Sequence, residues 1–169
     1  MAYPIHYDRS TAPKLGLVMN SIGVFSAPGK ELGEKRLKTL FDDLKQEGAI
    51  HQDSSLKERI CGPHEAMAVA DEFARNMVDV IMIFNSAFPN GHVFPTIALH
   101  PQLSRLPLIL SSEPEPDVGD REWTTNAWCG VIMNNYVAKQ LGRRVRPLGG
   151  NPETESYRDE LKMLLNSYR

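Results

Sequence analysis

The stretch 78–91, VDVIMIFNSAFPNG, constrains this chain more than any other part of it. Residues 78–84 are apolar apart from Asp79, and so short an apolar run, closed by turn-forming residues, fits a strand covered on both faces. A strand of that kind belongs in the middle of a parallel sheet. The residues after it, Asn85, Ser86, Ala87, Phe88, Pro89, Asn90 and Gly91, are small, amide-bearing or turn-forming, so backbone groups and side-chain amides can face a ligand there. In open α/β sheets ligands sit just past the carboxyl ends of the strands, which makes 85–92 the first place to look for a site.

The flanking chain alternates between strand and helix patterns. Residues 14–20, KLGLVMN, read as the first strand and run into the loop 21–29. A helix is expected from about Lys30, because Leu37, Leu40, Phe41 and Leu44 recur at helical spacing up to the terminator Gly48; its other face is charged and reads as solvated. A weak, polar strand within 54–60 suits a sheet edge. Pro63 then opens a helix with Ala66, Val69, Ala70, Phe73 and Met77 on one side. Beyond the Asn85 loop, 93–103 holds a short apolar helix interrupted by Pro95 and stopped by Pro101, and Pro107 introduces the fourth strand, LPLILSS. An acidic, proline-rich loop, 113–125, leads to a long helix over 126–141 with Ala127, Val131, Ala138 and Leu141 on one stripe. On that helix Trp128 and Cys129 fit core positions better than ligand contacts. A fifth strand is expected at 145–148. Asn151 and Pro152 read as cap and first position of a last helix, with Tyr157, Leu161, Leu164, Leu165 and Tyr168 on its apolar face.

This alternation predicts a flexible arm, 1–13, and one three-layer αβα domain, 14–169: five parallel strands in the flavodoxin-like, Rossmann-like order 2-1-3-4-5, joined by right-handed crossovers. In that order strands 1 and 3 are neighbours at the switch point. Loops 21–29 and 85–92 would then flank one crevice, with 113–125 as its third wall.

Composition narrows the partners. A net charge of -2 with no long block of like charge argues against nucleic acid and membrane surfaces. With neither a secretory signal nor an apolar run near the roughly 20 residues a membrane span needs, a soluble cytoplasmic protein is expected. Cys61 and Cys129, far apart, suit reduced thiols. GxGxxG and GxxxxGK[ST] do not follow the first strand, and its loop lacks the Ser/Thr-rich run an FMN phosphate would want. None of the histidines, at 6, 51, 64, 92 and 100, is paired at metal spacing, so neither FMN nor a metal held within this chain is expected. His92 reads either as a donor to a hydroxyl or carbonyl or as a helix-start histidine facing water.

With the loop NSAFPNG and the segment NAWCGVIMNNYVAKQLGRRVRPLGGNP, the chain from about Lys14 onward resembles the amino-terminal domain of the L-fucose and L-arabinose isomerase-like family. The family's strand pattern "DVIVxxxxxF" leads to a loop that borders the sugar, corresponding to Asn85, Ser86, Phe88 and Pro89. A second pattern, "NxWCG…MN…LG", is matched by Asn126, Trp128, Cys129, Gly130, Met133, Asn134 and Gly142. The resemblance implies a sugar-facing, oligomer-interface domain. Complete family enzymes have three domains, and a divalent metal, usually manganese, is held by the second and third, into which the helix after GGNP leads.

On that footing the expected partners are an aldose or ketose and the remaining isomerase domains or neighbouring subunits. The chain alone is expected to hold no catalytic residue or metal ligand set, to be inactive, and to form a monomer or weak dimer. Sugar contacts would come from Asn20, Ser21, Asn85, Ser86, Phe88, His92, Trp123 and Asn126, the polar and aromatic groups at the expected carboxyl edge. The rival reading is a free-standing flavodoxin-like module that binds a small ligand or regulates a partner.

Overall fold

The computed structural model describes residues 12–22, 27–115 and 125–168. Along the chain run β1 (Leu15–Asn20), α1 (Ala27–Gln46), β2 (Ser55–Ile60), α2 (Pro63–Arg75), β3 (Val80–Asn85), α3 (Val93–Ala98), β4 (Leu108–Ser112), α4 (Ala127–Gln140), β5 (Val145–Leu148) and α5 (Glu155–Asn166). The strands form one parallel sheet in the order β2-β1-β3-β4-β5, as the alternation of elements predicts. The arm over 1–11 lies outside the described residues; Pro13, just after it, is buried and its carbonyl accepts from the His51 N–H.

Every residue of β1, β3 and β4 is buried, because helices cover both faces and successive side chains alternate between them. Leu15, Leu17 and Met19 with Val80, Met82 and Phe84 meet Leu37, Leu40, Phe41 and Leu44 of α1 and Tyr157, Leu161 and Leu165 of α5. Val18, Ile81, Ile83, Leu108 and Leu110 meet α2, α3 and α4 on the other face. Each large side chain so buried contributes about 1.5–3 kcal/mol, which leaves the sheet as the rigid part from which the loops project. At Gly16 the fit is tightest, for a Cβ there would stand 2.8 Å from the Phe73 ring. Ser111 and Tyr157 share a buried 2.7 Å hydrogen bond that ties α5 to β4.

The edges are polar, as expected for β2. On β5 the edge carries Pro147, which has no N–H to offer another strand. Among the described residues no helix is long and apolar enough to cross a membrane.

Several sequence expectations are corrected. Met77 is 73% exposed, in a left-handed turn (φ 52°) beyond the end of α2, so it lies off that helix's apolar face. Trp128 and Cys129 are exposed, since the buried side of α4 is taken by Ala127, Gly130, Val131, Asn134 and Ala138. Helical geometry turns 128 away from that side. The last helix is capped by Thr154, whose Oγ1 accepts from the Tyr157 N–H. Asn151 is spent one turn earlier: its Oδ1 accepts from the Glu153 N–H at 3.0 Å, which places Pro152 in a turn before the helix.

Candidate functional site

The sheet register brings the carboxyl ends of three strands level, with Asn20 opposite Asn85 and Asn85 opposite Ser112. The loops that follow are tied together by backbone hydrogen bonds. The Ser86 N–H donates to the Asn20 carbonyl at 3.2 Å, the Ile22 N–H to the Phe88 carbonyl at 3.0 Å and the Phe88 N–H to the Thr125 carbonyl at 2.8 Å. One residue, Phe88, thus joins through its backbone the segments after β1, after β3 and before α4. The half-buried Phe88 side chain lies at their meeting point.

Asn20 is occupied with this bracing. Its Oδ1 accepts from the Asn90 N–H at 3.3 Å and its Nδ2 donates to the Asn90 carbonyl at 3.5 Å, holding the β3 loop against β1. Asn85 differs. It is fully buried, and among the described residues neither its Oδ1 nor its Nδ2 has a hydrogen-bond partner. The Ser21 hydroxyl beside the end of β1 is in the same condition, as are both amide atoms of Asn134, one helical turn beyond Gly130 on α4. Gly130 lets α4 come close: a Cβ there would lie 2.2 Å from the Pro89 ring and 3.0 Å from the Asn85 Nδ2. An unmet buried polar group costs roughly 1–3 kcal/mol, so each of these groups calls for a partner such as water or a polar ligand.

Two carboxylates that were not among the expected site residues reach the same edge. Glu34, one turn before Leu37 on the sheet-facing side of α1, is only 5% exposed; it accepts from the Ser86 hydroxyl at 3.4 Å and pairs with Arg59. Glu113, directly after β4, is 3% exposed and pairs with Arg36, which also meets Glu153 at 2.9 Å. Gly33 makes the room, since a Cβ there would stand 2.7 Å from the Glu113 Oε2. A charged residue next to a glycine on the first turns of a helix that starts at a sheet's carboxyl edge was the available signal. Asn134 has a fainter one, a polar residue within the apolar stripe of α4.

Burial raises the Glu113 carboxyl above its ordinary value, outweighing the Arg36 guanidinium, which acts to lower it. A raised carboxyl holds its proton more tightly folded than unfolded. Its contribution to stability is therefore complete below the unfolded value of 4.5 and is lost as pH rises from there through the folded value. Glu113→Gln removes that loss, so the stability of the variant relative to the parent is expected to improve between about pH 4 and about pH 7. Urea unfolding at both values checks this; a relative decline at the higher pH would show that the Arg36 pair outweighs burial.

The remaining expected residues divide. Ser86 joins the site through Glu34. Asn126 has a left-handed backbone (φ 53°), which asparagine tolerates, and makes no side-chain cap on α4. The cap comes instead from Glu115, whose carboxylate accepts from the Thr125 N–H at 3.0 Å, the Thr125 hydroxyl at 3.1 Å and the Ala127 N–H at 3.0 Å. His92 is exposed at the start of α3, where its backbone N–H donates to the Asn90 Oδ1 at 2.9 Å; this matches the water-facing histidine of its two readings. Trp123, and most of the loop expected as a third wall, lie outside the described residues.

Among the described residues no three His, Cys, Asp or Glu side chains come together as a metal would require. Among the described residues at this edge, Glu34 and Glu113 are each paired with an arginine. No protein-family model matches the chain. No curated protein matches it either.

Proposed function

We propose that this chain is the sugar-facing domain of a cytoplasmic aldose–ketose isomerase-like protein, binding a neutral polyhydroxylated ligand at the edge formed by Asn20, Ser21, Asn85 and Ser86. The observation that carries the reading is the fully buried, unpaired amide of Asn85 at the β1/β3 switch point. A sugar hydroxyl both donates and accepts, so it can meet an amide oxygen and an amide nitrogen at once. The cations at this edge already face carboxylates, which suits a neutral ligand better than a phosphate. The resemblance of NSAFPNG and NAWCG to the isomerase family supports the same substrate class. The metal chemistry of isomerisation is assigned to other domains or subunits, as the resemblance implies.

Asn85 is covered by Pro89 and α4, so a ligand must displace part of that cover, and a half site offsets little of the cost of association. Affinity for the isolated chain is expected to be millimolar or weaker. Titration with L-fucose and L-arabinose, followed by amide NMR, should shift the signals of Asn85 and Ser86 ahead of the rest. Shifts spread evenly over the surface would overturn the site. Incubation with manganese and aldoses should yield no ketose; turnover that survives repurification would refute the division of labour.

The strand order supports a second reading, a flavodoxin-like carrier, because FMN in that fold sits at this same β1/β3 switch point. A yellow protein on purification, with flavin absorbance, would favour it over the sugar.

A further inference from the structure

At the opposite end of the sheet, where β4 and β5 begin, the surface holds a hollow of about 740 Å³, within the range of small-molecule sites. Its floor is Leu106, Pro107 and Leu108, and Met163 and Tyr168 close one side. Arg105, Arg143, Arg144 and Arg146 line it, and no carboxylate side chain does among the described residues. Elsewhere Arg36, Arg59 and Arg158 each meet a carboxylate. The side chains of Arg105, Arg144 and Arg146 are exposed and form no ion pair or hydrogen bond among the described residues, while Arg143 donates to the carbonyls of Leu103 (3.5 Å) and Leu106 (3.0 Å).

The plain explanation is that cations gather where helices end. α4 and α5 both finish here, and each carboxyl end carries roughly half a negative charge. That amounts to about one charge against four guanidiniums, so most of the positive field is left over. Like charges held together destabilise the fold until something neutralises them. Strand addition to the β5 edge is an unsuitable remedy, because the strand is four residues long and includes Pro147. A nucleic acid would need a longer basic track than this hollow offers.

We propose that this hollow is a binding site for a small polyanion, a molecule bearing two or more phosphate or carboxylate groups, gripped by the forked guanidiniums of Arg144 and Arg146 while Arg143 holds the floor in place. It lies at the end of the sheet opposite Asn85 and does not depend on the sugar reading.

The test is calorimetric titration of the whole chain with inorganic tripolyphosphate and, separately, with citrate, against sodium chloride at matched ionic strength. Saturable binding to one or both is expected, and the stronger of the two identifies phosphate or carboxylate as the preferred group. In Arg144→Gln/Arg146→Gln the affinity should fall about tenfold or more, with amide NMR confirming an unchanged fold. In the parent, the amide signals of Leu106, Arg144 and Arg146 should move and those of Asn85 and Ser86 should not. Lack of saturable heat with either probe, equal affinity in the double variant, or shifts centred on the Asn85 loop would each overturn the proposal.

Discussion

Replacing Phe73 by alanine is expected to remove about 3–5 kcal/mol of stability, a large share of the roughly 5–15 kcal/mol that holds a domain of this size. The ring is fully buried between α2 and the sheet and lies against the one strand position, Gly16, that has no side chain to move aside. The reverse change, Gly16→Ala, drives a methyl to 2.8 Å from the same ring and is expected to cost about 1–3 kcal/mol by overpacking. The two sites should be coupled. In a Phe73→Leu background the extra methyl has room, so Gly16→Ala should cost at least about 0.5 kcal/mol less than it does alone. Urea unfolding of the four proteins in that cycle measures the coupling, and strict additivity would show that the contact is not what shapes β1 against α2.

The second large effect separates binding from folding. Asn85→Leu replaces an unpaired buried amide by an apolar group of similar size, and is expected to raise the stability of the ligand-free chain by about 1–3 kcal/mol while abolishing the sugar-dependent NMR shifts. Asn20→Ala should do the opposite to stability, because that amide makes both hydrogen bonds that hold Asn90. If Asn85→Leu destabilises the chain as Asn20→Ala does, the Asn85 amide has a structural task and the sugar site is misplaced. Thermal and urea unfolding, run beside the titration, report both quantities.

What was legible from residues alone follows from what periodicity measures. The unbroken burial of β3 and the polarity of β2 set the centre and one edge of the sheet, and the alternation with amphipathic helices set the order of the rest. Periodicity gives a residue's direction around a helix, not its height above the sheet. Glu34 shows this: its spacing from Leu37 and Phe41 places it on the sheet-facing side of α1, and its turn lies over the strand ends, where Ser86 and Arg59 enclose it. At Trp128 the reading erred differently, because a large apolar residue was weighed by type although its direction on α4 points away from the inward side taken by smaller neighbours. Among the expected site residues, type alone distinguished neither Asn20 from Asn85 nor a brace from an unpaired amide; only the register and the Asn90 loop do that.

The three hydrogen bonds that Glu115 accepts from Thr125 and Ala127 have an evolutionary consequence. They fasten the two ends of the 115–125 segment to each other and to the first turn of α4, so the start of that helix is defined without reference to what the chain does in between. Closing a longer loop across the same clamp adds only about 0.6 kcal/mol for each doubling of its length. Insertions there are cheap, and the Thr125 end of the segment is held by the Phe88 N–H. On the proposed reading, a change of loop length at this one place would alter ligand preference while the sheet, Asn85 and the seating of α4 stay as they are.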